Sequence, residues 1–196
     1  MSDAIVLAAG KSTRYGKSNK LFSEIHNKTL IFHIVNEIIN SKVKKVIIVT
    51  GRDHKEICTI LKGFNVDIIY NQNYETGISS SISTGVNHLP QKSSSAMICL
   101  ADMPLLATND YNEMIDFNQQ NGGVSRIVAP YRNKTIGNPV IFGKNYFKQL
   151  YCLNGDKGGK AILDKNSENL IKFKTKSEGF YFDIDNKNDF LKFKSL

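Results

Sequence analysis

A chain of 196 residues and 22.0 kDa is long enough to bury a full core in one domain, and no run of eighteen apolar residues is present to make a membrane span. Twenty-six basic against 18 acidic residues leave a formal charge of +8, but only Arg14, Arg52, Arg126 and Arg132 are arginine, and the lysines alternate along exposed faces instead of forming an aromatic-interleaved patch. That pattern argues against nucleic acid and for a solvated surface with some positive charge reserved for small anions. In chain order, Met1-Ser2-Asp3 passes directly into a strand over 4–8 without a basic leader. Strands are then expected over 45–50, 66–70, 95–100 and 126–129, with helices over 30–39, 55–62, 80–87 and 109–119 between them. Leu30, Ile31, Ile34, Val35, Ile38 and Ile39 make a wide helical stripe suited to covering a sheet face. Beyond Asn133 come shorter extended pieces, Pro139–Phe142 and Phe180–Ile184, and a helical stretch over Gly159–Asp164.

This alternation predicts an α/β, three-layer Rossmann-like fold, with a mainly parallel sheet and helices on both faces. We expect a single domain over 1–196, in which residues 131–196 form a lobe closing the cleft of residues 1–130. Cys58, Cys99 and Cys152 are odd in number and far apart, so they read as buried thiols of a reducing, cytoplasmic protein. Open α/β sheets bind ligands outside the carboxyl ends of their strands, and polar, glycine-rich segments collect at that edge here: Ala9-Gly10, Thr50-Gly51, Asn71-Gln72-Asn73 and Ala101-Asp102-Met103-Pro104.

The first of these carries the sharpest signal. Leu7-Ala8-Ala9-Gly10-Lys11-Ser12-Thr13-Arg14-Tyr15-Gly16, with Asn19-Lys20-Leu21 after it, sets small residues and free amides after a strand, a cradle for phosphate oxygens. Arg14 supplies a bidentate fork and Lys20 a mobile point charge. The P-loop of kinases is excluded by spacing, since a Lys11 version needs glycine where Ile5 stands, and the Gly10–Gly16 gap is one residue too long for Lys17. Asp102, at the end of the most apolar strand, is costly to bury without a partner, and in a phosphate site a hard divalent cation is the obvious one, although the tetrapeptide also reads as a plain turn. Asp183 and Asp185 alternate with Phe182 and Ile184, so a strand there would put both carboxylates on one face.

The Leu7-Ala8-Ala9-Gly10-x-Ser12-x-Arg14-x-Gly16 stretch with Lys20 resembles the signature of the MobA-like nucleotidyltransferases and, within them, the molybdenum cofactor cytidylyltransferases of the MocA-like family. The fold so implied is of the nucleotide-diphospho-sugar transferase type. The resemblance implies that Leu7, Ala8, Ala9, Gly10, Ser12, Arg14, Gly16 and Lys20 wrap a triphosphate and that Gly77 and Ser81, in Asn71–Ile82, face cytosine or ribose. It implies that Asp102 of the Asp-Met-Pro turn, with Asp185 of the Asp183/Asp185/Asp189 segment, holds Mg²⁺; Asp183 stays an alternative. Asn138 and Pro139, in Gly137–Phe142, and Asp156, in Gly155–Lys160, are implied to contact the acceptor. Asn138, Gly159-Lys160 and Asn186–Asn188 depart from the family pattern, where histidine, Ala-Arg and Thr-Pro are usual. The Ala-Ala-Gly form points to CTP. The implied activity is Mg-dependent transfer of CMP to the phosphate of a molybdopterin-type cofactor, with Asp102, Arg14 and Lys20 catalytic and a molybdenum hydroxylase as recipient. The alternatives are transfer to a sugar 1-phosphate or isoprenoid precursor, or a non-catalytic cofactor carrier.

Overall fold

The computed structural model describes residues 2–16 and 18–196. It opens with β1 (Asp3–Ala8), two 3-10 turns over Thr13–Tyr15 and Lys20–Phe22, and a small hairpin of β2 (Glu24–Ile25) and β3 (Lys28–Thr29) leading into α1 (Leu30–Ile39). There follow β4 (Val46–Thr50), α2 (His54–Ile60), β5 (Asp67–Tyr70), α3 (Ile78–Asn87), β6 (Ser95–Leu100) and α4 (Thr108–Asn121). The remainder is β7 (Ile127–Arg132), β8 (Thr135–Ile136), β9 (Val140–Gly143), α5 (Phe147–Tyr151), α6 (Lys160–Lys165), β10 (Leu170–Phe173) and α7 (Lys187–Lys194).

One twisted sheet runs in the order β10-β7-β9-β6-β1-β4-β5, with β8 paired to β7. β5, β4, β1 and β6 are parallel, as is the β7–β10 pair, and β9 runs antiparallel between β6 and β7. The period-2 pleat sends Ala4, Val6 and Ala8 of β1 into the core packed by α1 and α4, and Ile5 into the core packed by α3, α5 and α6. This is the expected three-layer α/β architecture. Both faces of the central strands are covered, which is why Val46–Val49 reads as a continuous apolar run.

Three departures from the sequence reading have physical causes. Phe180–Ile184 is no strand: residues 178–181 form a 3-10 turn and the chain then crosses the carboxyl edge of the sheet. There it makes single bonds, Asn138 N–H to Phe180 O (2.9 Å) and Ile184 N–H to Asp102 O (2.9 Å), instead of a ladder. The sixth parallel strand is β10, whose Leu170-Ile171-Lys172-Phe173 was masked by its lysine; at a sheet edge that lysine is in place, with its ammonium 4.1 Å from the Tyr131 ring centre. Of the cysteines only Cys99 is buried, and burial pushes its thiol up; Cys58 is half-buried and Cys152 is exposed at the end of α5.

Candidate active site

Three adjoining chambers open along the carboxyl ends of β1 and β6, and Leu7 lines all of them. The first, about 280 Å³, is walled by Leu7, Ala8, the loop Gly10–Arg14, Lys20, Leu21, Ala101, Asp102 and Asp185. Residues that lie far apart in the chain meet here because β1 and β6 are adjacent parallel strands, so their following loops emerge side by side.

At the centre is a partly buried ion-pair cluster. The Lys20 ammonium donates to Asp102 Oδ2 at 2.6 Å and to the Ile184 carbonyl at 2.6 Å, and lies 3.8 Å from Asp185 Oδ1. Arg14 donates to Asp185 Oδ2 at 2.7 Å with its side chain largely in solvent. Asp102 Oδ1 is buried and has no hydrogen-bond partner, an arrangement that costs free energy unless a ligand completes it. Partial burial of the Asp183 carboxyl, followed by the nearby Asp102 and Asp185 charges, pushes that group above the ordinary carboxylate range. Asp185 is set by the helix that follows it: Asn186 and Asp189 form a capping box at the start of α7, and Asp189 Oδ2 accepts from the Asp185 N–H at 3.1 Å. Asp189 is thus a cap, and the Asn186–Asn188 variation is accommodated by that box.

Among the described residues no three His, Cys, Asp or Glu side chains converge as a closed metal cage. The pair Asp102 and Asp185, with one carboxylate oxygen unpartnered, fits an ion of the magnesium type, which takes one or two protein carboxylates and completes its shell with water and substrate phosphate.

The second chamber, about 380 Å³, joins Ala9, Gly10, Tyr74, Gly77, Ile78, Ser81, Asp102 and Asp156. Ser81 is buried and its hydroxyl accepts from Asn71 Nδ2 at 3.0 Å, so that edge of the wall is rigid. Gly77 takes φ +110°, and a Cβ there would run into Asp156 Oδ1 and the Gly155 backbone. Asp156 caps α3 by accepting from the Ile78 N–H at 3.2 Å, which is why the helix starts two residues ahead of the expected first residue, Ser80. Asp156 therefore holds the helix that walls this chamber.

The third chamber, about 540 Å³, has an apolar floor of Leu7, Ile82, Ile98, Leu100, Val140 and Phe142, with Asn138, Lys134 and Lys160 at its rim. Asn138 lies on this wall as expected, but Pro139 is buried behind it. Gly16 also stands off the walls, closing the Thr13–Tyr15 turn at φ +112°. Lys11, paired with Glu75 at 3.3 Å, and Lys134 were not singled out from sequence. Asn133-Lys134 between two β-prone dipeptides was the available signal for the latter: both residues have positive φ, as a two-residue hairpin turn demands.

The "Bifunctional protein GlmU" of Lactobacillus helveticus is 26% identical over 160 residues, covering 81% of this chain and 34% of the relative, so the chain spans about a third of that protein's length. In structure, a nucleotidyl transferase from Methanothermobacter thermautotroptrophicus (Mth528) superposes with TM-score 0.86 at 19% identity over 100% of this chain and 96% of its own. Rv0371c of Mycobacterium tuberculosis gives 0.84 at 18% over 99% and 97%. Molybdopterin-guanine dinucleotide biosynthesis protein A of Archaeoglobus fulgidus gives 0.70 at 16% over 97% and 95%. At these identities the likeness establishes the shared fold. The model of the MobA-like NTP transferase domain matches residues 4–170, taking in the loop after β1 and the Asp102 turn, and the chain belongs to that family.

Proposed function

We propose that the chain transfers CMP from CTP to the phosphate of a molybdopterin-type molybdenum cofactor and releases pyrophosphate, in the cytoplasm and upstream of a molybdenum hydroxylase. The single observation that carries the reaction class is the buried, unpartnered Oδ1 of Asp102, a residue that lines the loop cavity with Asp185, Lys20 and Arg14. The cytidylyl choice rests on Ala8-Ala9-Gly10, and the acceptor choice on the apolar third chamber, whose floor suits a flat heterocycle and whose two rim lysines form no ion pair among the described residues. Support for a metal-assisted site comes also from Rv0371c, a fold relative known as a manganese complex.

In this reading the acceptor phosphate attacks the α-phosphorus in line. It is already anionic near neutral pH, so no general base is needed and the protein's task is positioning and charge neutralisation. A divalent ion held by Asp102 and Asp185 would supply neutralisation of the phosphate oxygens. Lys20 and Arg14 exchange their carboxylate partners for the β- and γ-phosphates, and the Gly10–Ser12 amides cradle the departing pyrophosphate. Asn71 fixes Ser81 against the nucleoside, and Asp156 holds α3 in register.

The test is pyrophosphate release from CTP, GTP, UTP and ATP with molybdopterin, a sugar 1-phosphate and an isoprenoid-precursor phosphate as acceptors. CTP with molybdopterin is the expected pair. Release with another pair moves the substrate assignment, and tight molybdopterin binding with no release from any pair supports the carrier reading.

A further inference from the structure

Beneath the loop lies one side chain that the reaction itself does not use. Asn19 is 4% exposed and touches three separate segments. Its Oδ1 accepts from Ser12 Oγ at 2.9 Å and from the Leu21 N–H at 3.0 Å, and its Nδ2 donates to Asp53 Oδ2 at 2.7 Å. Asp53, in the turn between β4 and α2, is gripped by Arg52 through Nε and Nη2, each at 3.2 Å. We propose that Asn19 is a positioning residue for nucleotide binding: its buried amide ties the phosphate loop and the Lys20 turn to the β4–α2 turn, and so aims Arg14 and Lys20 at the same anion. The inference rests on the nucleotide reading of the first chamber.

Two features make the amide specific. Ser12 sits at φ 51°, ψ 32°, a left-handed conformation that a non-glycine residue holds only when surrounding bonds enforce it, and the Asn19 carbonyl is the acceptor of its hydroxyl. The orientation of the amide is also fixed: the Leu21 N–H can only donate and an ionised Asp53 can only accept, so Oδ1 must face the first and Nδ2 the second. Aspartate at position 19 keeps the Ser12 and Leu21 bonds but sets two carboxylates against each other at hydrogen-bond distance. Replacing Asp53 by Asn as well reverses the polarity of that bond and restores it, giving up only the exposed Arg52 Nη2 contact to the same atom while Arg52 Nε keeps Oδ1.

The experiment compares wild type, Asn19→Asp and Asn19→Asp/Asp53→Asn by calorimetric titration with magnesium–CTP and with magnesium pyrophosphate, alongside thermal melting. Asn19→Asp is expected to weaken both ligands by about tenfold or more, the scale of losing a hydrogen bond to a charged group. Its affinity is expected to recover as pH falls toward the carboxylate range, because a proton shared between the two acids replaces the missing donor. The double variant is expected to bind near the wild-type level. Wild-type affinity in a folded Asn19→Asp, or a folded double variant that stays weak, overturns the positioning role alone. Failure of wild type to bind either ligand overturns the nucleotide reading and this role with it.

Discussion

Replacing Lys20 by Met tests the centre of the site through stability as well as activity. The ammonium lies 2.6 Å from Asp102 and 3.8 Å from Asp185, with side-chain exposures of 13%, 18% and 35% respectively. At an effective dielectric of about 20, these separations correspond to gross attractions of about 6 and 4 kcal/mol. Desolvation of the three charges cancels much of that, and removing one partner of a buried pair costs about 3–5 kcal/mol because the other charge is stranded. Partial solvation of this cluster places Lys20→Met near the lower end, about 3 kcal/mol, or about 6–12 °C in melting temperature for a chain of this size. The stranded carboxylates should then capture a divalent ion that the wild-type lysine excludes. In differential scanning fluorimetry, Mg²⁺ or Mn²⁺ without nucleotide is expected to raise the melting temperature of Lys20→Met markedly and of wild type little, while CTP-dependent turnover is lost. A variant that melts with wild type, or that responds to the metal no more than wild type does, refutes the picture of Lys20 as the charge standing in for the cation.

Asp102→Asn is expected to fold, since Lys20 keeps the Ile184 carbonyl and Asp185, and to lose about 10²–10³-fold in turnover, measured as pyrophosphate release. Gly77→Ala strains a position at φ +110° and drives a methyl group into Asp156 and Gly155; a loss of about 1–3 kcal/mol in urea unfolding is expected. Asp156→Ala removes the α3 cap and is expected to cost about 1 kcal/mol in the same assay. The Asp183 carboxyl is held above its ordinary value, so its stabilising contribution is present below that value and is lost as pH rises through the raised one. Metal-free Asp183→Asn is therefore expected to melt above wild type at neutral pH, with the difference closing on acidification; a constant difference across that range refutes the assignment.

The layered α/β fold was legible because apolar runs such as Ala4–Ala8 and Val46–Thr50 are strands buried on both faces, and the stripe on Leu30–Ile39 has helical period. The clustering of polar and small residues in the loop after β1 was legible for a related reason. Gly10, Ser12, Arg14 and Lys20 are local in sequence, and their chemistry follows from proximity along the chain. What lies across the cleft was not. Asp185 looked like a strand residue because alternation of acidic and apolar side chains is the same signal whether a backbone is paired in a ladder or merely extended over an edge. Only the tertiary structure shows it hanging from the Ile184–Asp102 bond and the α7 capping box. Asp156 and Pro139 carry the same lesson, for one caps a helix far away in sequence and the other is buried behind the wall it was expected to line. Composition and periodicity thus determined the layers and the loop of this protein. Side-chain hydrogen bonds and long-range ion pairs depend on distances that no local pattern encodes, so the pairing of Lys20 with Asp102 and Asp185, and of Asn19 with Asp53, was decided by the folded chain alone.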